Sequence, residues 1–172
     1  MAFIFMAGAI TMFCQISWVR QFTTIFGVHA ISVITLIVVF GACMAAGSYL
    51  FGKLADKKYH PWLLVALMQT LLTAYILLHP FFFSKIFDFY LFLNGRLSLG
   101  PYSVMFIRAT VSCFYFFIPA SILGGFIPVL GKPLVLRMNS VGRQIGLFSG
   151  SYLTGLGTGI FFTGFILIHS IG

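Results

Sequence analysis

Five long apolar runs, separated by short polar stretches, organise this chain. They cover about 2–19, 29–52, 61–83, 102–130 and 144–171, and each approaches the roughly 20 apolar residues that a membrane-crossing helix needs. The first run carries no charge and ends at Trp18 and Arg20, a pair suited to the membrane–water boundary. With no basic region before it and no small-residue cleavage site, it reads as a retained span rather than a signal peptide. The pattern predicts an all-α fold: a polytopic transmembrane helix bundle of about five spans, forming one domain over residues 1–172.

The polar stretches complete this layout. "SKIFDFYLFLNGRLSLGP" at 84–101 is too short and too charged to cross a bilayer. It reads as an interfacial segment over 84–100, with Asn94-Gly95 as a turn and Pro101 in the first turn of the fourth helix. The stretches 53–60 and 131–143 read as loops on the opposite side. The second of these, "GKPLVLRMNSVGR", suits a short surface helix on anionic lipid.

Composition agrees. Of 172 residues, 60% are hydrophobic and only 7% charged, with a mean hydropathy of +1.09. Too few charges exist to cover a water-soluble domain, so the solvent is a bilayer. The net charge of +8 is spread thinly between apolar runs, which points to lipid phosphates and excludes nucleic acid as the partner. Cys14, Cys43 and Cys113 fall inside apolar runs without metal-ligand spacing and read as small buried hydrophobes.

The cations set the expected sidedness. With the N-terminus inside, cytoplasmic loops hold Lys53, Lys57, Lys58, Lys132, Arg137 and Arg143, and the outer side holds Arg20, Lys85 and Arg96, six against three. The positive-inside rule then favours a cytoplasmic N-terminus and an external C-terminus.

Small residues mark packing faces, because lipid gives helices no hydrophobic reason to associate. The fifth span carries Gly146, Gly150, Gly155 and Gly159 in two GxxxG spacings, with Gly157 and Gly164 nearby. The second carries Gly41, Ala45, Ala46 and Gly47, followed by Gly52. The fourth, "FFIPASILGGFIPVLGKP", has Pro119, Gly124-Gly125 and Pro128, which predict a kinked or broken helix. Such a break serves either as a substrate site or as a structural kink.

Four motifs in register, "QISWVRQFTTIFG", "GSYLFGKLAD", "IPASILGGFIPVL" and "VGRQIGLFSGSYLTGLGTGIFFTGF", resemble the membrane domain of bacterial spermidine-synthase-like proteins. In that family a major-facilitator-like half is fused to an aminopropyltransferase domain. The resemblance covers almost the whole chain and implies placement in a bacterial inner membrane. It also implies a role for Asp56, one of only two acids: a latch between the second span and a neighbouring helix N-terminus, helped by Lys53 and Lys57. A solvated loop aspartate tempering the lysines is the alternative. The chain has no glycine-rich nucleotide loop, no glutamate and no acidic cluster, so no catalytic residue or bound cofactor is expected. Where the family often has Glu, this chain has Gln15 and Gln69, amides suited to interhelical hydrogen bonds but unable to carry a proton.

Arg108 is the one charge inside a candidate span. It either snorkels to outer phosphates or pairs with Asp88; Arg20 is a second candidate lipid contact. His29, His79 and His169 share the outer end but no helix, and read as interfacial residues rather than metal ligands. The expected function is a non-catalytic accessory or scaffold subunit of a larger membrane complex, in contact with lipids and with other membrane subunits or its own copies. The rivals are a transporter-like half-unit for polyamines or other small cations, and an anchor for a separately encoded aminopropyltransferase.

Overall fold

The structure, a computed structural model, describes residues 1–27, 29–57, 60–96, 101–135 and 141–167. Five helices follow one another: α1 (Ala2–Phe26), α2 (Ala30–Asp56), α3 (Pro61–Arg96), α4 (Pro101–Val135) and α5 (Val141–Phe161). A π-helical stretch, Phe162–Leu167, continues α5. All five helices are long and apolar enough to cross a membrane, so the chain is an all-α, multi-pass membrane bundle.

Four helices run further than their apolar cores predict. α1 continues past Val19 to Phe26, because Phe22 and Phe26 give the extension a buried side. It stops at Gly27, whose φ of 84° turns the chain into α2 and would strain any other residue. α3 does not end near residue 83 in favour of a separate interfacial segment. It runs on to Arg96, so the expected turn at Asn94-Gly95 is helical backbone. Phe83, Ile86 and Tyr90 pack against the core there, and this tertiary contact overrides the local turn preference. At 36 residues α3 is about 54 Å long, well beyond a hydrocarbon core of about 30 Å. α2 continues from Gly52 to Asp56, and α4 from Leu130 to Val135. The rest of the expected 131–143 loop helix falls partly on 136–140, outside the described residues.

Of the kink or break expected in α4, the break is absent: the helix passes through Pro119, Gly124-Gly125 and Pro128 without ending. The reason lies in packing. α4 is the central helix, with 67% of its spanning window buried against 22–33% for the other four. α2 lies along it, and α3 packs against it more lightly. A Cβ on Gly124 would overlap the Met44 backbone, and one on Gly47 would overlap the Ser121 backbone. A Cβ on Gly125 would strike the Phe51 ring. The glycine pair therefore joins two helices instead of breaking one, in the close contact that small residues allow in lipid. Ser121 Oγ donates across the same seam to the Cys43 carbonyl at 3.2 Å.

A second seam joins α1 to α5. Added Cβ atoms on Gly155 and Gly159 would overlap the backbones of Phe5 and Ala9, and one on Gly8 would overlap Tyr152. In both seams the partners advance together along the chain, from Met44–Gly124 to Gly52–Pro128 and from Phe5–Gly155 to Ala9–Gly159. Both pairs are therefore parallel, as they must be when successive spans alternate in direction. Between the seams lies an aromatic core, with Phe22, Phe40 and Phe116 fully buried and ring centroids of 5.0 Å for Phe22–Phe116 and 5.6 Å for Phe40–Phe116.

Gly41 shares α2 with Gly47 but has open space around it, so the two separate packing from helix propensity. Gly124→Ala is expected to cost about 1–3 kcal/mol by overpacking, and Gly41→Ala to be neutral or to gain up to about 1 kcal/mol. Unfolding midpoints in mild detergent check this; equal effects at both positions would remove the seam from the account.

Candidate functional site

Arg108 lies two turns inside α4, about 10 Å from its first residue. The side chain is half-buried and drawn sideways across the bundle. Nε donates to Tyr90 Oη of α3 at 3.2 Å, and Nη1 donates to Ser32 Oγ of α2 at 2.9 Å. Its guanidinium carbon lies 5.6 Å from the centroid of the Phe26 ring of α1. One cation thus ties four helices together. The expected pairing with Asp88 does not form: Asp88 is exposed, and among the described residues Arg108 makes no ion pair. Beside it a cleft of about 500 Å³ opens between the first turns of α2 and α4, lined on its polar side by His29, Ser32, Thr35 and Arg108.

At the other end of α2, the latch expected at Asp56 is made by a different residue. Asp56 is exposed and has no partner among the described residues. Lys132 Nζ of α4 instead donates to the Ala55 carbonyl. This satisfies a carbonyl that the end of α2 would leave open, and places a cation where the helix dipole favours one. An aspartate as the last residue of a helix faces the unfavourable pole of that dipole, which is why it stays in the open. Lys53, also expected to help the latch, lies 4.4 Å from the centroid of the Tyr49 ring.

Gln15 and Gln69 make no interhelical hydrogen bond among the described residues. Gln69 is exposed and lines a cleft with Phe3, Met6 and Phe126. The bonds that do cross between helices come from Tyr75 Oη, donating to the Tyr115 carbonyl at 2.9 Å, from Tyr152 Oη, donating to Thr11 Oγ1 at 3.4 Å, and from Ser121, Arg108 and Lys132. Arg20 is exposed near the end of α1, and its side chain makes no hydrogen bond or ion pair among the described residues. Cys14 and Cys43 are buried as expected, but Cys113 faces outward.

His79 is not an isolated interfacial residue. It lies between Trp18 and Phe83, nearly parallel to both, at centroid distances of 6.3 and 5.8 Å, with the Tyr115 ring edge-on at 5.7 Å. His79 Nε2 and Tyr115 Oη are buried and find no partner among the described residues. No group of three metal-ligating side chains occurs among the described residues; His169 lies outside them.

The small residues of α5 divide into two sets. Gly155 and Gly159 are buried on α1, whereas Gly146 and Gly150 are exposed, with nothing within 4 Å of an added Cβ. Gly47 is buried in the α2–α4 seam, and Gly52 makes an ordinary contact, 3.7 Å from Pro128. Sequence reasoning missed Ser32 and Tyr90 altogether, and read Lys132 only as a loop cation. A serine, a tyrosine and a lysine near helix ends carry no signature of their own; only the register between helices selects them.

No family model, curated protein or solved structure matches the chain.

The two central tyrosines supply a test of this core. Tyr75→Phe removes a hydrogen bond and is expected to cost about 0.5–1.5 kcal/mol. Tyr115→Phe removes an unpartnered hydroxyl and is expected to be neutral or stabilising. Thermal unfolding in detergent measures both; a clear loss for Tyr115→Phe would mean that its hydroxyl holds a partner.

Proposed function

We propose that this chain is a non-catalytic scaffold subunit that packs into a larger membrane assembly through the free glycine face of α5. The observation that carries this reading is the division within one helix. The GxxxG pair at Gly155 and Gly159 seats α5 on α1, while the same spacing at Gly146 and Gly150 lies open on another side. α5 also has little support from the remaining helices, touching α4 only slightly. A face of this kind accepts a second helix at backbone distance, and the device is the one that α5 already uses within the chain.

The occupant is a transmembrane helix of another subunit, with small residues opposite Gly146 and Gly150. The resemblance to the membrane domain of spermidine-synthase-like proteins supports a bacterial inner-membrane setting, with the N-terminus cytoplasmic by the distribution of lysine and arginine. That resemblance also supports a scaffold over a carrier, because Gln15 and Gln69 stand where the family often has ionisable carboxylates.

Extraction in mild detergent tests the reading. Wild-type chain is expected to retain a stoichiometric subunit that Gly146→Leu with Gly150→Leu releases, while the chain's own unfolding midpoint stays unchanged or rises. A lone monomer from native membranes, or a partner still held by the double variant, would overturn it. Self-association through this face would replace the separate subunit by a second copy. Gly155→Leu and Gly159→Leu are not diagnostic of assembly, because they force apart the chain's own α1–α5 seam.

A further inference from the structure

We infer that the cleft between the first turns of α2 and α4 binds a phosphate-type anion, with Arg108 as its cationic partner and an anionic lipid headgroup as its natural source. The inference starts from an uncompensated charge. Arg108 lies within an apolar span, where an ionised side chain requires a partner or a path to water. Its two described hydrogen bonds go to neutral hydroxyls, Tyr90 Oη and Ser32 Oγ, and the ring of Phe26 is neutral as well. These contacts orient the guanidinium but leave its net charge in place.

No acidic side chain among the described residues neutralises it. Only two exist. Asp88 is exposed and does not pair with Arg108, and Asp56 ends α2 at the opposite end from Ser32. A guanidinium has five N–H donors, so the two described bonds leave three for a further acceptor.

The cleft beside Arg108 has the form such an acceptor needs. Its volume is about 500 Å³, and it is lined by polar His29, Ser32 and Thr35 as well as by apolar Ile31 and Met105. That mixture suits an amphiphile whose charged head meets Arg108 while its tail follows the apolar wall. Three other clefts, beside Phe13, Phe114 and Gln69, carry no charged side chain. Because α2 and α4 run parallel, both helices also begin at this end, and their dipoles add a positive field to that of the guanidinium. At about 10 Å from the start of α4, Arg108 is within a side chain's reach of a lipid phosphate.

Native mass spectrometry of the full chain in mild detergent tests this, with phosphatidylglycerol and phosphatidylcholine as probes. Wild type is expected to retain phosphatidylglycerol at least about tenfold better, the size of one charge-assisted hydrogen bond. Arg108→Gln can still bond Ser32 or Tyr90 and should lose that preference, whereas Arg108→Lys should keep part of it. Met105→Trp narrows the cleft with Arg108 intact and should also lose retention; this variant decides the matter if Arg108→Gln does not fold. Equal retention of the two lipids by wild type, or an unchanged preference in Arg108→Gln or in Met105→Trp, would overturn the site. A parallel melt with inorganic phosphate distinguishes the sources. Stabilisation of wild type but not of Arg108→Gln by phosphate alone would overturn the lipid headgroup as the source and leave a free anion. No effect of phosphate, with lipid retained, supports the headgroup.

Discussion

Backbone-to-backbone contact between parallel helices is the constraint from which the rest of this structure follows. In hydrocarbon, apolar side chains have nothing to gain by leaving the lipid, so helices associate only where many atoms meet closely. Here that closeness depends on missing Cβ atoms: Gly47, Gly124 and Gly125 between α2 and α4, and Gly8, Gly155 and Gly159 between α1 and α5. A methyl group at most of these sites would land on the partner's backbone, which cannot move aside as a flexible side chain can.

The same contacts set a register, and the register decides which polar groups meet. With Gly124 seated on Met44, Ser121 reaches the Cys43 carbonyl, Lys132 reaches the Ala55 carbonyl, and Arg108 reaches Ser32. Three polar contacts spread over most of the length of α4 therefore depend on one choice of helix position. A slip of a single residue would turn each donor about 100° away from its acceptor, leaving polar groups unsatisfied where no water replaces the lost bond.

The arrangement is uneven around the bundle. α4 is surrounded, whereas α5 is held along one side and presents a second line of small residues outward. Pairing within the chain and pairing with another chain use the same physics, so the open face needs no new device to serve as an interface. The cation at Arg108 follows a different logic. Its hydroxyl partners hold it in place without neutralising it, so the apolar span keeps a fixed positive charge beside an open cleft.

By itself the sequence determined the class: apolar length and scarce charge allow only a bundle of membrane-crossing helices, and five spans of this kind are present. It also located the glycine-rich faces, since small residues at helical spacing signify close packing whatever the partner. It did not determine which glycines face inward. Gly146–Gly150 and Gly155–Gly159 share one spacing, yet only the second pair meets α1. Local signals misled where tertiary contact was stronger. Pro119, Gly124-Gly125 and Pro128 look like breaks but lie within a continuous α4, and Asn94-Gly95 looks like a turn but lies in α3. The partners of Arg108, the exposed position of Asp56 and the cap supplied by Lys132 were decided only by tertiary structure. Each depends on how two helices far apart in sequence align, and neither composition nor periodicity encodes that alignment.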